Sequence, residues 1–291
     1  MRIVKRTIDI GHRLTKFINF HKTDGTILYS SIPSIVRKYT ASMQPGLLAS
    51  NPFKSNSVSV FGQDYLVGSR SQGKLIKSSI LESRSSYFEH YLALLNSAAS
   101  HMDEHIIDEL ILTAPLSRLV WLQSRINNYF KTPISYPDKE PVIIKDARVV
   151  PSCYGSFLNF VFYSRKESLN NNHYMLVDLG GQLAEWLPVQ ANRPVLKHSG
   201  FMTISHESKE DTSPLDAAAI KPKFTRLAKR LIPAIKKSRC NAILLTGGRA
   251  PLYEQSLRQA LKGIPVITTP DNIFANVLGY QRNLSLKNSR I

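Results

Sequence analysis

Three glycine turns, each closing an apolar run, carry the residue types that handle phosphate. The first is Asp9-Ile10-Gly11-His12-Arg13-Leu14-Thr15-Lys16. A backbone bare at Gly11 lets N–H groups approach phosphate oxygens, while Thr15 can donate a hydrogen bond and Lys16 supplies a point charge. Asp9, at a strand end, can hold a hydrated Mg2+, which takes one or two carboxylates together with phosphates and water. The second turn, Asp178-Leu179-Gly180-Gly181, repeats acid plus glycine, and two such turns facing each other would grip a metal-bound polyphosphate. The third, Leu244-Leu245-Thr246-Gly247-Gly248-Arg249-Ala250, leads into a helix as a nucleoside-binding turn would. Neither G-x-x-x-x-G-K-[ST] nor G-x-G-x-x-G occurs, which excludes the P-loop and Rossmann readings. Any one such turn is usually only a turn; order and spacing carry the signal.

The turns need strands to hold them. Residues 2–11 alternate toward a β-branched strand, Thr15–Phe20 fits a second, and Thr23-Asp24-Gly25 reads as a hairpin turn before a strand at Thr26–Tyr29. Short strands follow at Ser57–Val60 and Tyr65–Val67, with Gly62 between them. Then come a helix over Glu82–Ala99, a strand at Leu110–Thr113, a helix over Leu116–Tyr129 and a strand over 141–150 that Pro151 stops. After Ser152 the order begins again: strand Tyr174–Leu179, partners Ala184–Val189 and Val195–Ser199, a basic helix, strand Ala242–Thr246, helix Leu252–Leu261, strand Pro265–Thr268 and a last helix from Ile273. Asn170-Asn171-Asn172 and Glu207–Ser213 read as polar loops. Each half thus runs strand, Asp-x-Gly, hairpin and helices, which predicts two similar α/β domains in tandem.

The 291 residues carry 38 Lys+Arg against 21 Asp+Glu, a net charge of +17, with 43% hydrophobic residues. That content supplies a real core and excludes a disordered basic tail, while the charge favours a polyanionic partner. No run approaches the ~18 apolar residues of a membrane span, so no membrane partner is expected. Cys153 and Cys240 read as reduced thiols of a cytoplasmic protein. Lys221, Lys223, Arg226, Lys229, Arg230, Lys236, Lys237 and Arg239 crowd one stretch without an acid, interleaved with Phe224, Leu227, Leu231, Ile232 and Ile235 at helical spacing. This is a basic amphipathic helix, with Pro233 expected to kink or restart it. Its plain reading is a core-packed helix with a solvated face; its sharper one is a phosphate or protomer contact. His101-Met102-Asp103-Glu104-His105 fits the zinc pattern H-x-x-E-H, but no third ligand is placed, so a polar turn is the expectation.

Taken together, the turns resemble the actin-like ATPase superfamily, and most closely the plasmid-segregation actins of the ParM/StbA-like group. Asp9–Lys16 is similar to the family's first phosphate loop, Asp178–Gly181 to its second and Leu245–Ala250 to its adenosine motif. Phe274-Ala275-Asn276-Val277-Leu278-Gly279-Tyr280 is similar to the closing element, and the likeness runs from about residue 3 to 282. The resemblance implies an actin/hexokinase-type α/β fold with ATP (or GTP) and Mg2+ in a cleft. Domain I would span 1–153, with a C-terminal helix over 274–291 packing back on it; domain II would span 154–273, its outer subdomain reduced. Asp9 and Asp178 would hold the metal and place the attacking water. Gly11, Thr15, Lys16, Gly180 and Gly181 would meet phosphates, and Gly247, Gly248 and Arg249 the nucleoside. Filaments of the protein itself, and DNA bound directly or through an adaptor, are the partners implied.

Three departures bear on hydrolysis. The second loop continues Gln182-Leu183-Ala184-Glu185 where relatives place threonines and an Asp. Ser152 stands where relatives carry a Gln or Glu that orients water, and a serine cannot act as a carboxylate base. Arg249 replaces the adenosine motif's third glycine, able to stack on a purine or to block it. The expectation is a weak ATPase, with a nucleotide-binding or DNA-binding structural protein without significant hydrolysis as the alternative.

Overall fold

The computed structural model describes residues 3–22, 24–39, 57–68, 84–136, 139–164, 173–204, 217–269 and 273–288. The chain divides into two units, one of Met1–Ala114 with Leu119–Val150, the other of Pro115–Arg118 with Pro151–Ile291.

In the first unit the strands are β1 (Lys5–Ile10), β2 (Leu14–His21), β3 (Ile27–Pro33), β4 (Val36–Lys38), β5 (Ser57–Val60) and β6 (Gln63–Val67). Helix α1 (Arg84–Ala99) comes next, then β7 (Ile106–Ile107), β8 (Glu109–Ala114), α2 (Leu119–Tyr129), β9 (Ile134–Tyr136), β10 (Lys139–Ile144) and β11 (Ala147–Pro151). The main sheet runs β11-β8-β1-β2-β3, with β1 antiparallel to β2 and parallel to β8. Strand β1 is buried along almost its whole length, as a central strand covered on both faces must be. Ile8, Ile10, Leu110 and Leu112 join Leu92 and Leu95 of α1 in one core. The alternation of a strand therefore turns Asp9 and Thr113 to the other face. The expected strand over 141–150 is two strands, parted at Lys145 and Asp146.

The second unit opens with α3 (Ser152–Tyr163), followed by β12 (Tyr174–Leu179), β13 (Leu183–Gln190), β14 (Arg193–Pro194) and β15 (Gly200–Thr203). Helix α4 (Ala217–Ser238), β16 (Ala242–Thr246), α5 (Ala250–Ala260), β17 (Val266–Thr268) and α6 (Ala275–Asn288) complete it. Its sheet, β14-β13-β12-β16-β17 with β15 also on β13, repeats the arrangement of the first: an antiparallel hairpin whose first strand lies parallel to the strand after the crossover. One face packs Met175, Val177, Ile243 and Leu245 against Leu227 and Leu231 of α4 and Leu257 of α5. The other packs Tyr174, Leu176 and Leu244 against Cys153 and Phe157 of α3.

Three expectations are corrected. Val195–Ser199 is a turn: the Ser199 amide and hydroxyl both donate to the Leu196 carbonyl, and His198 has φ 68. The pairing falls instead to β14 and β15, where Gly200 leaves room for the Trp186 ring. Helix α4 runs through both Pro222 and Pro233 without a break. It ends on a left-handed Arg239 (φ 52), with Arg239 N–H bonding Lys236 O and Cys240 N–H bonding Ile235 O, a Schellman closure built without glycine. Helix α6 packs on α3, which places the C-terminal helix with the second unit rather than the first, and the division falls before Pro151. Gly155 and Gly279 cause this. A Cβ on either would collide with the facing helix backbone, so only glycine lets the two axes meet this closely. The expected loops at 170–172 and 207–213 lie outside the described residues, as do residues 82 and 83 of the first expected helix.

Candidate functional site

The first acid–glycine turn lies at the end of β1. Register sets Asp9 opposite Lys16 on β2 and Thr113 on β8. Lys16 Nζ donates to Asp9 Oδ2 at 2.5 Å, and the Thr113 hydroxyl donates to Oδ1. Asp9 is only 2% exposed, and the charge of Lys16 with the hydrogen bond of Thr113 offsets the cost of burying it. Gly11 N–H closes the turn onto Leu14 O at 3.1 Å. Thr15 is fully buried, its hydroxyl sharing a hydrogen bond with Ser34 at 2.9 Å. The structure thus brings Asp9, Lys16 and Gly11 together and commits the Thr15 side chain to the interior.

The second acid–glycine turn repeats the geometry at the end of β12. Gly180 N–H closes onto Leu183 O at 2.9 Å, and Asp178 stands opposite Glu185 on β13 and Thr246 on β16. Where the first unit puts a lysine beside its acid, this one puts a second acid. Glu185 is buried and accepts the Leu116 N–H at 2.6 Å, which ties residues 115–118 to this unit. Asp178 accepts from Asn276 Nδ2 at 3.1 Å. The amide orientation follows from the other side: Asn276 Oδ1 takes the Ser156 N–H at 3.1 Å and the Ser156 hydroxyl at 2.6 Å. Ser156 also shares a hydrogen bond with Thr246 at 2.8 Å, closing a buried chain from α3 and β16 through α6 to Asp178. Burial pushes the Cys153 thiol well above its ordinary pKa, and the charges of Glu185 and Asp178 add to it, so it is a packed thiol rather than a nucleophile.

The third turn presses on the second. Gly247 has φ 92 and lies against Asp178 Oδ1 and the Leu179 carbonyl, leaving no room for a Cβ. Arg249 N–H bonds Leu179 O at 3.0 Å. Gly248 faces open space. The Arg249 guanidinium does not lie over that space: it is 4% exposed and Nη1 donates to Ile204 O at 3.3 Å.

Asn276 appeared in the sequence only within a closing motif, while Thr113, Thr246 and Ser156 gave little notice of a role. The available signal was a polar residue ending an apolar run, as in Leu110–Thr113 and Ala242–Thr246; Ser156 carried none. On α4, Arg226, Lys229, Arg230, Lys236 and Lys237 are exposed, but Lys223 is buried and leaves the basic face. The zinc pattern assembles nothing: His101 stacks on Phe17, Glu104 pairs with Arg6 and His105 with Glu140. No cluster of three metal-ligating side chains occurs among the described residues. Among these residues, too, no helix is long and apolar enough to cross a membrane.

A family model described as the N-terminal domain of actin-like proteins matches residues 7–155. No curated protein matches the sequence. Among solved structures, the chain superposes over its whole length on the apo pSK41 ParM protein, with 13% identity, 99% of that chain covered and a TM-score of 0.66. An AlfA filament bound to AMPPNP gives 17% identity, 99% coverage of both chains and a TM-score of 0.67. Ta0583, an archaeal actin homologue in complex with ADP, gives 18% identity, 98% and 100% coverage and a TM-score of 0.66.

Proposed function

The chain belongs to the actin-like protein family, and on that premise we propose that it binds a nucleoside triphosphate with Mg2+ and polymerises, in the service of plasmid or other DNA segregation. The observation that carries the nucleotide reading is the duplicated strand-end turn. Each unit closes an acid–glycine turn on the same register, with Asp9 beside Lys16 and Thr113, and Asp178 beside Glu185 and Thr246. The backbone N–H groups around Gly11, and those of Gly180 and Gly181, would meet phosphate oxygens, and Lys16 would share its charge between Asp9 and phosphate. The donor set fits Mg2+, a hard cation that takes a carboxylate or two and leaves its other positions to water and phosphate. Asp9 and Asp178 would hold it, and the ion would neutralise charge on the phosphates. Gly248, open in front, would lie against the nucleoside.

Polymerisation draws support from the AlfA filament, and nucleotide binding from its AMPPNP and from the ADP of the archaeal homologue. Hydrolysis is slow in this reading. Ser152 offers no carboxylate, and Glu185 is held by the Leu116 amide at 2.6 Å. The test combines light scattering, electron microscopy and phosphate release with Mg-ATP, with Mg-GTP and without nucleotide. Filaments that need nucleotide and form faster than phosphate appears bear the reading out. Filaments with no phosphate release convert it to nucleotide binding without hydrolysis, and the absence of binding and filaments in every condition sinks it.

A further inference from the structure

Helix α4 presents two unlike faces. Leu227, Leu231, Ala234 and Ile235 are buried in the core of the second unit. Arg226, Lys229 and Arg230 stand three and four residues apart on the opposite side, and Lys236 and Lys237 follow about two turns further on, all exposed, with Pro233 exposed between the two groups. Among the described residues no acid pairs with any of these five. At ~1.5 Å per residue the stripe is ~16 Å long. The left-handed closure at Arg239 ends the helix firmly and adds one more exposed cation at its tip.

From this we infer that the exposed face of α4 binds the phosphate backbone of duplex DNA. A stripe of that length runs beside several phosphates, since duplex DNA carries one charge per ~1.7 Å of axis. The alternatives fit less well. An anionic membrane would need apolar side chains to insert, and those of α4 are spent on the core. A second copy of the chain meeting the stripe through Glu104, Asp108, Glu109, Glu140 or Glu254 would have to break a pair that each already makes within the protein. The stripe offers only cations, which suit the regularly spaced phosphates, and the proposal is limited to that backbone contact. The inference deepens the segregation reading by naming its direct DNA contact. It needs neither nucleotide nor polymer, so the two can fail separately.

The experiment is fluorescence anisotropy of a labelled 30-base-pair duplex of arbitrary sequence without nucleotide. Wild type is compared with R226E/K229E/R230E and with K22E/K131E/K197E, a control that moves net charge equally at exposed sites elsewhere. Five phosphate contacts predict that wild-type affinity falls by about 500-fold between 50 and 200 mM salt. The stripe variant should bind at least twentyfold more weakly than wild type, with the control within threefold. R226Q/K229Q/R230Q should lie between, and circular dichroism confirms that each is folded. Equal losses in stripe and control variants would overturn the inference, leaving only net charge. So would wild type that ignores the duplex at 50 mM salt, or that binds phosphatidylserine vesicles through these residues but not DNA.

Discussion

Replacing Gly279 with alanine tests whether the crossing of α3 and α6 positions Asp178 through Asn276. A Cβ there would stand 2.7 Å from the Asn159 amide nitrogen and closer still to the Gly155 carbonyl oxygen. Ordinary contacts lie near ~3.5 Å, so the helices must part by at least ~0.8 Å. Overpacking of this kind costs about 3 kcal/mol at a site where both neighbours are helix backbone, offset by about 1 kcal/mol from the better helix propensity of alanine. Asn276 sits one turn earlier on the same helix. The same shift stretches its 3.1 Å bond to Asp178 beyond hydrogen-bonding range, and a lost bond to a charged group costs about another 2 kcal/mol. The expected total is about 4 kcal/mol. Urea unfolding followed by Trp186 fluorescence measures it, in a Trp121→Phe background that silences the first unit's only tryptophan. Asn276→Ala separates the two causes. It keeps the crossing, so it should destabilise less than Gly279→Ala, yet weaken Mg-nucleotide binding about tenfold. A Gly279→Ala protein within 0.5 kcal/mol (~0.5, the scatter of such fits) of wild type would refute the close-crossing argument. Nucleotide affinity unchanged in Asn276→Ala would refute the positioning of Asp178 by α6.

Three further outcomes are expected. Lys16→Ala leaves the buried Asp9 carboxylate with only the Thr113 hydroxyl, so the first unit should lose about 3 kcal/mol in denaturant unfolding; a loss below ~1 kcal/mol would show that the Lys16–Asp9 pair does not hold this turn. Burial, with the charge of Lys139 adding to it, lowers the His101 pKa from 6.5, so the unfolded chain takes up its proton first. Stability is therefore held above pH 6.5 and lost as pH falls. His101→Phe, which keeps the stack on Phe17, should flatten the melting temperature between ~pH 7 and ~pH 5, and an unchanged slope would point to another group. Burial raises Cys153 well above the usual thiol range and Cys240 to about 11, so iodoacetamide at pH 8 should label neither in the folded protein and both in urea. Labelling of folded Cys153 would contradict its packing beneath Asp178 and Glu185.

Much of this molecule was legible along the chain. Apolar runs closed by glycine turns, Asp-x-Gly after β1 and β12 and Thr-Gly-Gly after β16, marked these strands, because a buried central strand leaves few residue types to choose from. The doubling of the strand–turn–hairpin order gave two similar α/β units for the same reason. The basic face of α4 was likewise readable, since helical spacing alone separates Leu227 and Leu231 from Arg226 and Arg230; only the burial of Lys223 needed the fold. Other features had no local trace. Helix α3 is rich in aromatics and contains Gly155, a composition with poor helix propensity, and it is helical because α6 packs against it. The surroundings of Asp9 and Asp178 depend on strand register and a long-range helix contact: Thr113 comes from 104 residues away and Asn276 from 98, Thr246 across a parallel crossover and Glu185 across a hairpin. Sequence determined which residues could hold phosphate and metal, because those are properties of side chains and short turns. Tertiary structure alone decided what each acid leans on, because a carboxylate's partners are set by register and packing, which no stretch of neighbouring residues encodes.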